Sequence, residues 1–161
     1  TRSRMFSVFL KPEISQTLDE IVDAVKEMVS KRIGALIVFP KSQNVQMTID
    51  TGIPLQANVS KELILSIFNT KSPLHDGAVI IDGQTITAAR CILPLSSVSK
   101  WEGRNLGTRH RAGLGLSEQV DAVVLIVSEE VGSISIAHRG SLKLNIPVED
   151  LQNTLMKLLT E

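Results

Sequence analysis

The sequence predicts an α/β domain of the α+β kind, a central mixed, largely antiparallel β-sheet surrounded by helices. Three observations lead there. Apolar residues recur at helical spacing near both ends of the chain, short β-branched apolar runs fill the interval, and an Asp-Gly turn joins two of those runs as a hairpin. At 161 residues the chain has room for one substantial core but not for two ordinary ones, so residues 1–161 read as a single domain. Hydrophobic residues at 43% against 21% charged supply enough apolar surface to drive folding, which a disordered chain lacks.

Taken in order, Ser15 to Arg32 carries Leu18, Ile21, Val22, Val25, Met28 and Val29 on one face, the spacing of an amphipathic helix. Thr17 and Glu20 have the form of a capping box, and Gly34 is expected to supply the left-handed residue that ends the helix. Ala35 to Phe39, closed by Pro40, reads as a buried strand. Val45, Met47 and Ile49 alternate with polar residues, as do Ile53, Leu55, Ala57 and Val59, which predicts a half-exposed hairpin about the turn at 50–52. Ser60 is a cap for a second helix that turns Leu63, Ile64, Ile67 and Phe68 inward and ends near Asn69, ahead of a polar loop from Thr70 to His75.

Ala78 to Ile81 and Gln84 to Leu93 flank Asp82-Gly83, a dipeptide that tolerates the positive φ angles of a tight hairpin. Ser96 to Arg111 is rich in Gly, Ser and cations, and a loop of that length in a compact domain is more often functional than decorative. Ala122 to Ser128 and Gly132 to His138 predict another antiparallel pair. Pro147 suits the first turn of a closing helix lined by Leu151, Leu155, Leu158 and Leu159.

Lys plus Arg equals Asp plus Glu at 17 each, so no global field draws the chain to nucleic acid or to an anionic membrane, and any anion site must be local. Cys91 is the only cysteine, which rules out an intramolecular disulfide and leaves a Cys-based zinc site unsupported; inside its apolar run it reads as a buried structural thiol in a reducing, cytoplasmic setting. No apolar stretch approaches the roughly 18 residues of a membrane span, and no signal peptide is visible. The chain as given is expected to be soluble, and its start at Thr1 is expected of a piece of a longer protein.

Two constellations carry chemistry. His75-Asp76-Gly77-Ala78 puts an imidazole and a carboxylate at a loop-to-strand junction, with a glycine that lets a ligand approach the backbone. Such a carboxylate can deprotonate a hydroxyl or hold a divalent metal, although Asp-Gly is also a common turn. Gly107-Thr108-Arg109-His110-Arg111 gathers guanidinium forks, a hydroxyl and the backbone N–H groups of a helix start, all of which suit a polyphosphate. Lys100 and Arg104 share that loop against Glu102 alone; a solvated basic loop is the plainer alternative. Ser128-Glu129-Glu130 ends a strand, where either acid joins Asp76 around a metal or simply forms a solvated turn. There is no Gly-Lys-Ser/Thr phosphate loop and no Gly-x-Gly-x-x-Gly after a strand, and Gly113-Leu114-Gly115 reads as packing or helix termination.

Asp76-Gly77-Ala78 and Arg109-His110-Arg111 together resemble the paired DGA and RHR signatures of the diadenylate cyclase family, and the resemblance, spanning nearly the whole chain, is strongest to its membrane-tethered class with a single catalytic domain. The resemblance implies condensation of two ATP into cyclic di-AMP with release of two pyrophosphates, by a nucleotidyltransferase whose site forms between two face-to-face protomers. It implies Asp76 and Arg109 as catalytic residues and a nucleotide cradle of Gly77, Ala78, Leu93, Gly107, Thr108, Arg109, His110, Arg111 and Ser128. Leu93 corresponds to the position whose backbone reads adenine, while Arg111 is expected to support the loop or a partner contact. A divalent metal ion, Mn, Mg or Co, is implied, with Asp76, His75 and Glu130 as its candidate ligands. Residues 1–12 are then the flexible remnant of a linker to an absent membrane anchor, which puts the full-length protein at the cytoplasmic face of the cell membrane. A homodimer, a membrane-bound regulator and a phosphoglucosamine mutase are the implied partners, and no nucleic acid.

Two positions depart from the family pattern. Ile92 stands where some relatives place an aromatic residue, and Ala112-Gly113 stands where relatives often have two alanines, which would loosen a helix by roughly 1 kcal/mol. The alternative reading is a nucleotide or cyclic dinucleotide sensor without turnover, against which an intact Asp76 argues. A nucleic-acid module on the loop from Lys100 to Arg111 is disfavoured by neutral charge and 3% aromatic content.

Overall fold

The computed structural model describes residues 2–161, with side chains from residue 13 onward. Among the described residues, five helices and nine strands follow one another: α1 (Arg2–Lys31), β1 (Ala35–Pro40), α2 (Gln46–Ile49), β2 (Ile53–Asn58), α3 (Lys61–Phe68), β3 (Ala78–Asp82), β4 (Thr85–Cys91), β5 (Lys100–Trp101), β6 (Arg104–Asn105), α4 (Thr108–Gln119), β7 (Ala122–Val127), β8 (Ile134–His138), β9 (Ser141–Lys143) and α5 (Val148–Thr160). Seven strands form one sheet in the order β2-β4-β3-β1-β7-β8-β9, in which only β1 and β3 run parallel. This is the mixed, largely antiparallel sheet that the pattern predicts.

The central strands are apolar at consecutive positions because both sheet faces are covered. Along β1, Ile37 and Phe39 enter one core with α1, α3 and α5, while Leu36 and Val38 enter a second beneath α4. Strand β7 divides in the same way, Val123, Leu125 and Val127 to the first face and Val124 and Ile126 to the second. Each fully buried aliphatic side chain contributes about 1.5–3 kcal/mol, so the sheet centre anchors everything attached to its rim.

Several local expectations are corrected. Helix α1 begins at Arg2 rather than at Ser15, so the segment expected as a linker remnant is helical from Arg2 onward. Thr17 and Glu20 therefore lie inside the helix, and Glu20 Oε1 instead accepts from the Lys61 amide at 2.9 Å, capping α3 beside the predicted Ser60 cap. The left-handed residue that ends α1 is Arg32, with φ 55°, and the Ile33 amide donates back to the Met28 carbonyl at 2.8 Å. Gly34 serves another purpose, described below.

The first arm of the expected hairpin at 45–49 is the short helix α2. Val45 and Ile49 satisfy a spacing of four as well as of two, and the Asn44 side chain accepts from the Gln46 amide at 3.1 Å to start the turn. The second arm is β2, an edge strand paired with β4. Within the long loop, Glu102 and Gly103 have φ of 49° and 78°, the pattern of a tight hairpin turn between β5 and β6. Arg139 and Gly140 do the same between β8 and β9, a strand that the apolar pattern did not reveal because only Leu142 of its three residues is buried.

Candidate active site

One end of the sheet collects the chemistry. Strand pairing sets Ala35 opposite Val127 and Ile37 beside Val79, so the lead-in to β1, the lead-in to β3 and the exit from β7 share one rim. Since β1 lies between β3 and β7, Gly34 stands between Asp76-Gly77 on one side and Ser128-Glu129-Glu130 on the other. Helix α4 packs on the second face against β7, β8 and β1, and its N-terminus points its unpaired amides to the same rim.

A cleft of about 380 Å³ opens there, lined by the α4 N-terminus (Gly107 to His110), the turn after β7 (Ser128 to Val131) and Asn145. Helix α4 has no side-chain cap and no acidic residue in its first turn, so its dipole and free N–H groups face the cleft uncompensated. Arg109 Nη1 lies 3.2 Å from Glu129 Oε1, across the mouth between helix and turn. Arg32 Nη1 donates to the Glu130 carbonyl oxygen at 2.7 Å and ties that turn to the end of α1. The remaining cleft cation, Arg104, comes from β6.

His110 also lines the cleft, its Nε2 3.5 Å from the Ser135 hydroxyl. Burial pushes its pKa below the ordinary 6.5, opposed by the negative charge of Glu130. The imidazole is thus neutral at physiological pH, and the positive character of the cleft comes from arginine and the helix terminus.

Of the residues picked out from the sequence, Gly107, Thr108, Arg109, His110, Ser128 and Glu130 are brought together in this cleft. Asp76 and Gly77 stand on the same rim but outside its walls. His75 donates from Nδ1 to the Ser72 carbonyl at 2.7 Å, which leaves Nε2 as its free acceptor. Among the described residues no three His, Cys, Asp or Glu side chains converge, so His75, Asp76 and Glu130 do not form a ready-made cage within the protomer. Arg111 is absent from the cleft walls; its Nε and Nη2 donate to the Ser96 carbonyl at 3.1 and 2.9 Å.

The glycine of the Asp76-Gly77 motif has a structural reason within the protomer. Its φ is 137°, and a Cβ there would lie 2.8–2.9 Å from the Arg90 backbone, so it lets β4 close against the start of β3. Leu93 is buried beneath α4 while Ile92, one of the exposed large apolar residues, stands at the rim. Gly113 sits where a Cβ would come within 2.7 Å of Ile126 Cδ1 on β7, a packing reason for the departure from two alanines. Gly34 and Asn145 are the rim residues that spacing alone did not assign to the site, and the ion pair of Glu129 to Arg109 is likewise visible only in the fold.

Residues 22–142 match the DAC family, described as DisA bacterial checkpoint controller nucleotide-binding. The cyclic di-AMP synthase CdaA of Bacillus subtilis (strain 168) is 45% identical over 157 residues, covering 96% of this chain and 57% of that protein. A solved double mutant of DacA from Staphylococcus aureus superposes with a TM-score of 0.86 at 44% identity, over 91% of this chain and 97% of that one. The structure of a hypothetical membrane spanning protein from Bacillus cereus aligns at 0.76 and 37% identity, over 86% and 69%. The chain spans a little over half the length of the curated relatives it matches. With the DGA and RHR residues gathered at one rim of a sheet shared with these proteins, the chain belongs to the DAC, or diadenylate cyclase, family.

Proposed function

We propose that this chain is the catalytic domain of a diadenylate cyclase that condenses two ATP into cyclic di-AMP and two pyrophosphates. The observation that carries the proposal is the cleft at the α4 N-terminus, where Thr108, Arg109 and free backbone amides converge on a volume suited to a triphosphate, with Asp76 on the same rim. Similarity to a cyclic di-AMP synthase over 96% of the chain supports the product.

Each ribose 3′-hydroxyl attacks the α-phosphorus of the other nucleotide. A P–O bond forms to the ribose, the bond between the α-phosphorus and the bridging oxygen breaks, pyrophosphate leaves, and the hydroxyl proton passes to the Asp76 carboxylate. Thr108, Arg109 and the α4 amides hold the departing phosphates in line and offset their charge. Asp76 lies outside the walls that hold those phosphates, which suits a site completed by a second protomer face to face. Exposed carboxylates beside a phosphate cleft fit a hard divalent ion, which is commonly held by one or two carboxylates plus substrate phosphates rather than by an all-protein cage. Asp76, with His75 or Glu130, would hold it, and it would supply charge neutralisation at the α-phosphate.

No described helix is long and apolar enough to cross a membrane. Likeness to a membrane spanning protein, together with the family class, supports a place at the cytoplasmic face of the membrane for the full-length protein. A membrane-bound regulator and a phosphoglucosamine mutase are proposed as partners on the family resemblance.

The test is incubation of the purified chain with ATP and Mn²⁺, Mg²⁺ or Co²⁺. Cyclic di-AMP and pyrophosphate are expected in a ratio of one to two, with activity per protomer falling on dilution, while Asp76→Asn binds ATP without cyclising it. ATP binding with no product under any of the three metals would establish a nucleotide sensor instead.

A further inference from the structure

Gly34 has no left-handed backbone to explain it, and it follows a helix that Arg32 has already ended. What it faces is Arg109. A Cβ built on Gly34 would lie 2.7 Å from Arg109 Nε and closer still to Cζ and Nη1, so the guanidinium lies flat on the bare backbone at the start of β1. The same Nη1 that overlies Gly34 is 3.2 Å from Glu129 Oε1. Both supports are themselves fixed. Gly34 leads directly into the buried strand β1, and the Glu129 turn is tied to α1 by the Arg32 hydrogen bond to the Glu130 carbonyl.

We propose that Gly34 is a positioning residue for phosphate recognition: its missing side chain is the seat that sets the height and plane of the Arg109 guanidinium in the cleft. This rests on the assignment of Arg109 to the triphosphate made above. The three atoms nearest to a methyl at this position all belong to the end of one flexible side chain, so the tightest contact is relieved by moving Arg109. The planar fork of arginine matches two phosphate oxygens only in the right plane, whereas a lysine at the same place acts as a point charge with little directional demand.

The experiment is calorimetric titration of ATP and, separately, of adenosine into the folded chain and three variants, Gly34→Ala, Arg109→Ala and the double substitution. Gly34→Ala is expected to melt within a few degrees of the parent, since its backbone conformation is open to alanine. ATP affinity should fall about tenfold, the equivalent of one charge-assisted hydrogen bond lost. Adenosine affinity should be unchanged, and in the Arg109→Ala background the alanine at 34 should cost nothing further, because two residues acting through one contact are not additive.

Three results would overturn the positioning role while leaving the assignment of Arg109 in place. One is Gly34→Ala binding ATP as the parent does while Arg109→Ala does not. Another is an ATP loss that persists undiminished in the Arg109→Ala background. The third is a Gly34→Ala chain that fails to fold, which would mean that the core rather than Arg109 requires the glycine. If instead Arg109→Ala leaves ATP affinity unaltered, the assignment of Arg109 to the triphosphate falls first and the positioning role falls with it.

Discussion

Arg109 and Glu129 form an ion pair of 3.2 Å across the mouth of the cleft, the arginine from the first turn of α4 and the glutamate from the turn after β7. Glu129 is more than half exposed, so the pair adds little to stability; on the proposed assignment of Arg109 to the triphosphate, the nucleotide competes with a carboxylate for the same guanidinium.

Removing that competitor should therefore favour the nucleotide. In the absence of divalent metal, Glu129→Gln is expected to bind ATP about two- to fivefold more tightly, the equivalent of an exposed ion pair no longer having to be broken. Titration in a metal-chelating buffer measures it, and weaker binding than in the parent would show that Glu129 assists the phosphates rather than competing with them.

Gly115 gives a prediction of the opposite kind from Gly34. A Cβ on Gly115 would lie 2.7 Å from the Ser96 amide nitrogen and 2.8 Å from the Pro94 carbonyl carbon, with the Pro94 oxygen nearer still. These are backbone atoms, and the segment is held to α4 by the Ser96 amide donating to the Arg111 carbonyl and by Arg111 donating back to the Ser96 carbonyl. Alanine normally gains about 1 kcal/mol over glycine inside a helix, yet Gly115→Ala is expected to lose about 1–3 kcal/mol net through overpacking. Urea unfolding checks it; a variant as stable as the parent would mean that the loop from Pro94 to Ser96 yields freely.

Two histidines predict how stability depends on pH. His110 and His138 both have pKa values lowered from the ordinary 6.5, in each case chiefly by burial; Lys41 and Arg139 lower His138 further, while Glu130 opposes the shift at His110 and Asp121 opposes it at His138. With the folded pKa below the unfolded one, the unfolded chain takes up protons first as pH falls through 6.5, so stability declines from there downward. Asp121, lowered from 3.8 chiefly by its hydrogen bond from Ser42, adds stability above its ordinary value that is lost only at more acidic pH. Thermal melts should drop below pH 6.5 and the drop should shrink in His138→Gln; a melting temperature that rises on acidification would contradict both assignments.

Much of the fold was legible because its physics is local or periodic. The face from Leu18 to Val29, the continuous apolar runs of β1 and β7, the Ser60 cap and the Asp82-Gly83 hairpin each carry their signal within a few residues. The short elements were not. Helix α2 and the expected strand share apolar positions two and four apart, and strand β9 buries a single side chain, so neither has enough residues for a period to show. The candidate site divides in the same way. The chemistry proposed for Asp76, Thr108 and Arg109 rests on residue types and spacing, since carboxylates and guanidinium forks keep their preferences in any fold.

Their arrangement was decided elsewhere. Sheet order put Asp76 and Ser128 on either side of Gly34, and packing of α4 on β7 and β8 brought Arg109 down onto that glycine. Gly34 and Arg109 are far apart in the chain and neither is informative alone. A glycine whose purpose is to leave space acquires its meaning from the neighbour that fills it, and strand pairing and helix packing choose that neighbour. The sequence by itself determined the family, the secondary structure of the long elements and the kind of chemistry proposed; tertiary structure alone determined which backbone Arg109 rests on and which carboxylate it holds.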